Sequence, residues 1–278
     1  MADTKTVQTV HEVHISNLDA QTYSKAEDWN TFLADQNTLD NIPYHLSWIA
    51  LFSHLRKRNK YFQITNDLRD ELKKNKHVKI YPKPRYLYSA FLACSADDLK
   101  VVFIGQDPYF NSEFSQAAKT SLPQAMGMSF SVPDGIQVPS SLRNIFNNLE
   151  RYGHLKDRPE SGNLWFWAYQ GCLMLNAALT VIDGQKKSHT GMWKWMTDEI
   201  ISYISTNFEN VIFVLWGKDA YQKINLIDQD RHHTIISSHP SGLSAHNTFR
   251  TFPAFNDFDH FGEINRILKK VGKKEIMW

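Results

Sequence analysis

Polar side chains follow each of four apolar runs in this sequence. Gln106, Asp107 and Tyr109 come after Lys100–Gly105 (KVVFIG), and Asn176 closes Cys172–Asn176 (CLMLN). Gly217 and Lys218 come after Val211–Trp216 (VIFVLW), and His239 comes after Thr234–Ser238 (TIISS). A carboxylate can stabilise positive charge or orient water, and an imidazole can hold or give a proton near neutrality. A primary amide offers a donor and an acceptor side by side, which suits reading a planar ring edge. Singly, each has a plain explanation: an Asp before Pro caps turns, and a His before Pro ends strands. Together, at matching run ends, they read as one site.

The runs are short and continuously apolar, as expected of strands in a parallel sheet covered on both faces. Helical patterns separate them. Trp48, Leu51, Phe52 and Leu55 form one stripe, and Phe62, Ile64, Leu68 and Leu72 another. Ser140 is expected to cap a helix carrying Leu142, Ile145, Phe146 and Leu149. Further helices are expected over 192–206 and 219–226, and a last one is capped by Asp257 and closed by Gly272. Alternating strands and helices predict an α/β fold: three α/β/α layers around a central, mainly parallel four-stranded sheet. In such a sheet ligands bind beyond the carboxyl ends of the strands, where the polar residues stand.

The 278 residues are ample for a large core. With 31 Lys and Arg against 29 Asp and Glu the net charge is only +2, which excludes a strongly basic coat protein. The charge is uneven. Residues 1–40 hold two basic and seven acidic residues, leaving 29 basic against 22 acidic, a +7 bias that suits an anionic partner. Residues 1–43 read as an acidic extension, partly disordered or with a short helix near Trp29–Leu33, and dispensable for chemistry. The globular domain is expected over 44–278. His11 and His14 stand at helical spacing with no Cys/His cluster nearby, so an incidental pair is expected. Two cysteines exclude a disulfide scaffold and a Cys-ligated metal site. No secretory signal and no membrane-length apolar run is found, so an intracellular, soluble protein, nuclear or cytoplasmic, is expected. There is no GxxxxGK[ST] loop, no GxGxxG after a strand, no GxSxG elbow and no kinase signature.

Three segments carry a specific resemblance. GQDPY (105–109), LNAALTV (175–181) and HPSGLS (239–244) resemble the signature segments of the family-1 uracil-DNA glycosylases. IYPKP (80–84), GMSFSV (127–132), PSSLRNIF (139–146), WAYQG (167–171), SHTGMW (188–193), VLWG (214–217) and RHHTI (231–235) agree with it. The resemblance covers about residues 44–278.

The resemblance implies hydrolysis of the N-glycosidic bond between uracil and deoxyribose in DNA, giving free uracil and an abasic site. The implied enzyme is a monomer without metal or cofactor, its partner is uracil-containing DNA, and no membrane is involved. By similarity, Asp107 stabilises the oxocarbenium-like sugar and orients water. A neutral His239 donates to uracil O2, and Gln106 adds a backbone donor. Asn176 reads N3–H and O4, Tyr109 stands against C5 and excludes the thymine methyl, and Phe130 stacks on the flipped ring. Leu243 fills the gap that the base leaves. Ser140, Ser141, Gly217, Lys218, Ser241 and Ser244 are the implied phosphate contacts.

Several positions depart from the family pattern. Phe110 replaces a His, Gly242 replaces a Pro, and Lys218 stands where a small hydroxyl residue is usual. The stretch between Tyr109 and Gly127 is roughly ten residues longer than usual and is expected to add a small helix beside the site. SHTGMW is about one residue short. A mismatch-directed relative acting on thymine or uracil opposite guanine conflicts with Asp107 and Tyr109. A catalytically weak DNA-binding or replication-scaffold protein conflicts with the intact Asp107, Asn176 and His239. A flavodoxin-like nucleotide module lacks a phosphate loop.

Overall fold

Two short helices, α1 (Ala20–Lys25) and α2 (Trp29–Ala34), open the described part of the chain, which covers residues 20–278 in a computed structural model. Then follow α3 (Ile49–Arg56), α4 (Asn59–Lys74), β1 (Ile80–Tyr81), α5 (Ser89–Ala93) and β2 (Val101–Gly105). A hairpin of β3 (Ser112–Ser115) and β4 (Thr120–Pro123) precedes α6 (Ser140–Arg151), α7 (Trp165–Tyr169) and β5 (Cys172–Asn176). The chain ends with β6 (Val181–Ile182), α8 (Thr190–Asn207), β7 (Ile212–Trp216), α9 (Gly217–Tyr221), β8 (His233–Ser237) and α10 (His260–Lys270).

The four apolar runs form one sheet in the order β5-β2-β7-β8, every neighbour parallel. Helices flank it, as expected from continuous apolar strands. Every residue of β2, β5 and β7 is buried, whereas edge strand β8 is mixed. α8 turns Trp193, Met196, Ile200, Ile201 and Ile204 into the core, and α6 turns in Leu142, Ile145, Phe146 and Leu149.

Some local expectations need correcting. Ser140 is the first residue of α6 rather than its cap: Pro139 holds that position, with no side-chain hydrogen bond. The last helix is capped by Asp259, which accepts from the Gly262 N–H, not by Asp257. In α4 Tyr61 is buried, whereas Phe62 is 48% exposed. The 110–126 insert is an antiparallel hairpin, not a helix. Contacts with α1 stabilise it, and no local pattern could announce them.

Residues 20–42 belong to the core. Tyr23, Trp29, Phe32, Leu33, Leu39 and Ile42 are buried in it, and a fully buried side chain of this size contributes about 1.5–3 kcal/mol. Tyr23 donates to the Ala125 carbonyl, and Trp29 Nε1 donates to the Pro82 carbonyl at 2.8 Å. Asp40 accepts from Arg56 Nε at 2.5 Å and from the Tyr61 hydroxyl at 2.9 Å. His11 and His14 lie outside the described residues. Among the described residues no helix is long and apolar enough to cross a membrane.

Candidate active site

Parallel register sets the site. Gly105 pairs with Asn176 at the carboxyl ends of β2 and β5. Beyond the pair, Ala177 N–H donates to the Gly105 carbonyl and Ala178 N–H to the Gln106 carbonyl, both at 2.9 Å. The two loops therefore leave the sheet stitched together. Position 105 demands glycine: a Cβ there would collide with Asn176 Oδ1 and lie 2.7 Å from Ser129 Cβ. The Asn176 side chain is buried and makes no hydrogen bond to another described residue, so its donor and acceptor are available to a ligand.

Asp107 is half-buried. Its Oδ2 accepts from the Lys187 backbone N–H at 3.0 Å, and its Oδ1 from the Thr190 hydroxyl at 3.3 Å. Burial raises its carboxyl above the ordinary carboxylate range, and the Asp219 charge adds to the rise. The Lys187 and Thr190 hydrogen bonds and the Lys187 charge work against it.

His239 stands at the end of β8. Its Nδ1 accepts from the Ser241 backbone N–H at 3.0 Å. An accepting Nδ1 places the proton of the neutral ring on Nε2. Burial pushes its pKa down to about 4; Asp219 opposes the fall and Lys186 adds to it. Gly217, at φ +86°, lets α9 begin against this ring, since a Cβ there would lie 2.8 Å from His239 Cβ.

Two aromatic residues complete the arrangement. The Phe130 ring centroid is 6.0 Å from that of His239 and 5.6 Å from that of Trp216. Phe130 adopts φ 63°, a left-handed conformation costly for a bulky residue and characteristic of functional loops. The Tyr109 hydroxyl donates to the Phe130 carbonyl at 3.3 Å, which fixes the phenol beside the Phe130 loop. Asp107, Tyr109, Phe130 and His239 are thus joined through neighbours and loops into one constellation around the Asn176 edge.

The expected phosphate contacts fall on the same rim. Asn144 Nδ2 of α6 donates to the Pro240 carbonyl at 2.7 Å, which brings the helix start carrying Ser140 and Ser141 beside the 239–244 loop. That loop is a tight turn, with Ser244 and Ala245 N–H groups on the Ser241 carbonyl at 2.9 Å. Leu243 projects from it, 91% exposed. Lys218 is exposed on α9 and forms no ion pair with a described residue. Phe110, where the family pattern has His, packs with Tyr81, Ala125 and Val181 beneath the Lys186 ammonium, 5.2 Å from the ring centroid.

The β6–α8 turn was not legible as part of the site. Lys187, Thr190 and, through Asp219, α9 surround the two titratable groups. His189, buried next to Thr190, is held by the Thr180 hydroxyl and Glu71 Oε2, both at 2.7 Å. Only the tertiary fold brings these residues to Asp107, some 80 positions earlier. Among the described residues no cluster of three or more His, Cys, Asp or Glu could hold a metal ion.

The family model for the uracil DNA glycosylase superfamily matches residues 93–269. A uracil-DNA glycosylase of Flavobacterium johnsoniae is 40% identical over 241 residues, covering 86% of this chain and all of that protein. A probable uracil-DNA glycosylase of Acanthamoeba polyphaga mimivirus is 36% identical over 242 residues; the match covers 83% of this chain and 64% of the mimivirus protein's length. The crystal structure of mimivirus uracil-DNA glycosylase superposes with a TM-score of 0.85 at 33% identity, covering 94% of this chain and 96% of that one. By the extent of these matches, the chain belongs to the uracil-DNA glycosylase superfamily, hydrolases of N-glycosidic bonds.

Proposed function

We propose that this chain hydrolyses the N-glycosidic bond of deoxyuridine in single- and double-stranded DNA, releasing uracil and leaving an abasic site, the first step of base excision repair. The Ser241 N–H on His239 Nδ1 carries this reading most directly, because it leaves a neutral ring with a donor at Nε2.

The stacked base must first leave the duplex. Leu243, exposed on its loop, enters the vacated space. The uracil slides between Phe130 and the Asn176 amide, which accepts from N3–H and donates to O4. Cytosine presents the opposite pattern. Tyr109 closes the C5 side and leaves no room for a methyl group. Phosphates settle on Ser140, Ser141, Gly217, Lys218, Ser241 and Ser244 through hydroxyls, backbone N–H groups and one ammonium.

As the C1′–N1 bond breaks, its electron pair passes to uracil, and negative charge grows on O2. His239 Nε2–H, supported by the Gln106 backbone, stabilises that oxygen. The ionised Asp107 stabilises the positive sugar and orients the water whose oxygen bonds to C1′. The water's proton passes to the Asp107 carboxylate, whose raised pKa suits a temporary acceptor, and then through solvent to the uracil anion, which leaves neutral uracil and an ionised Asp107. Removing one oxyanion donor typically lowers rate by about 10²–10³. These steps call on a monomer and on no metal or cofactor. Release of free uracil from a uracil-containing oligonucleotide tests the reading. Binding without release favours a scaffold that keeps only the fold.

A further inference from the structure

Lys187 is exposed and takes a left-handed backbone conformation, φ 61°, in the turn before α8. This conformation is disfavoured for a residue with a Cβ and needs to be held in place. Its N–H donates to Asp107 Oδ2 at 3.0 Å. Its Nζ lies 3.4 Å from Asp219 Oδ2. Asp219 sits in the first turn of α9, two residues after Gly217, whose backbone packs on His239. One residue therefore holds the carboxylate with its main chain and reaches with its side chain to the segment packed on the imidazole.

We infer that Lys187 and Asp219 form a clasp across the mouth of the site, in which the ion pair keeps the turn that aims the Lys187 N–H at Asp107 and ties that turn to the segment supporting His239. Both are positioning residues. The inference rests on Asp107 and His239 acting as the catalytic pair. The charged and titratable groups around that pair are Lys187, Asp219, Lys186, and His189 with its partner Glu71. Lys187 lowers the Asp107 pKa and Asp219 raises it, so breaking the clasp from opposite sides shifts Asp107 in opposite directions.

The test is steady-state uracil release from a single-stranded uracil oligonucleotide by the full chain across pH, comparing Lys187→Met, Asp219→Asn and their double variant. Each single change should lower kcat by about two- to fivefold, the range of exposed ion pairs. The double variant should be no slower than the slower single, because the two residues act as one unit. The acid limb of kcat should move up by about 0.3 pH unit in Lys187→Met and down by a similar amount in Asp219→Asn. The exchanged pair, Lys187→Asp with Asp219→Lys, should recover kcat to within about twofold of the parent. Aspartate tolerates the left-handed conformation, so this variant keeps the turn. Multiplicative kcat losses, unchanged kcat in both singles, acid limbs moving together or an exchanged pair no better than the singles would overturn the clasp. Asp107→Asn run alongside separates the two ideas. If the parent releases uracil and Asp107→Asn does not, the glycosylase reading stands whatever the pair does.

Discussion

The Ser241 backbone N–H donates to Nδ1 of His239 at 3.0 Å, and this contact places the proton of the neutral ring on Nε2. A protonated ring could not accept it, so the fold is built for the neutral form. In the proposed mechanism, with the His239 pKa near 4 and Asp107 acting as a carboxylate, both groups work deprotonated. The predicted kcat rises through the acid range as Asp107 ionises, and His239 adds no inflection of its own between about pH 6 and 8. An inflection near 6.5, where an unperturbed histidine titrates, would contradict a neutral His239.

The same logic governs stability through His260. This ring is buried, stacked on Phe255 at 4.5 Å, accepts from Trp216 Nε1 at 3.2 Å and donates to the Phe255 carbonyl at 3.0 Å. Burial lowers its pKa to about 3. Below about pH 6.5 the unfolded chain gains a proton that the folded chain refuses, so stability falls as pH drops from 6.5 toward 3. The slope is about 1.4 kcal/mol per pH unit for one such group. Chemical denaturation of His260→Gln should show a shallower acid slope than the parent; equal slopes would remove His260 as a cause.

Gly105→Ala should injure activity far more than folding. The new Cβ meets Asn176 Oδ1 and Ser129 Cβ, so the Asn176 amide, the proposed reader of the base, must shift. Overpacking of this kind costs about 1–3 kcal/mol. Uracil excision should fall by more than tenfold while the circular dichroism spectrum stays native. Activity within twofold of the parent would show that Asn176 need not sit where it does.

Leu243→Ala should separate duplex from single-stranded substrate. At 91% exposure the side chain supports nothing in the fold, so stability should stay within about 0.5 kcal/mol. Excision from duplex DNA should drop by about tenfold, with a smaller drop on single strands, where no base stack must be filled. Equal losses on both substrates would argue against a wedge.

Residues from 20 to 40 contribute to the folded core. Removal of residues 1–40 conflicts with the burial of Tyr23, Trp29, Phe32, Leu33 and Leu39 and with the Asp40 contacts to Arg56 and Tyr61. Trp29→Ala should destabilise by about 3–5 kcal/mol, read by urea denaturation. A loss under 1 kcal/mol would restore the view of this segment as an appendage.

Much of this was legible because the strands are continuous apolar runs bounded by polar residues. The apolar runs coincide with β5 to the residue and with β2, β7 and β8 to within one. What escaped has a shared cause. The hairpin strands SEFS and TSLP are polar and short, and they are stabilised by α1 rather than by their own pattern. Tyr23 and Trp29 lie in an acidic stretch whose charge masks their burial. Lys187 and Asp219 look like surface charges until the fold sets them between Asp107 and His239. The Phe62 stripe missed by one position because Tyr61, with its hydroxyl on Asp40, outcompetes it for the core.

The most direct test of the account is free uracil released from a uracil-containing oligonucleotide by the parent, Asp107→Asn and His239→Leu, with DNA binding measured on the same samples. The parent should release uracil, and each variant should lose at least about a hundredfold in rate with binding kept. Binding without release by the parent, or release by both variants at the parent's rate, would contradict it.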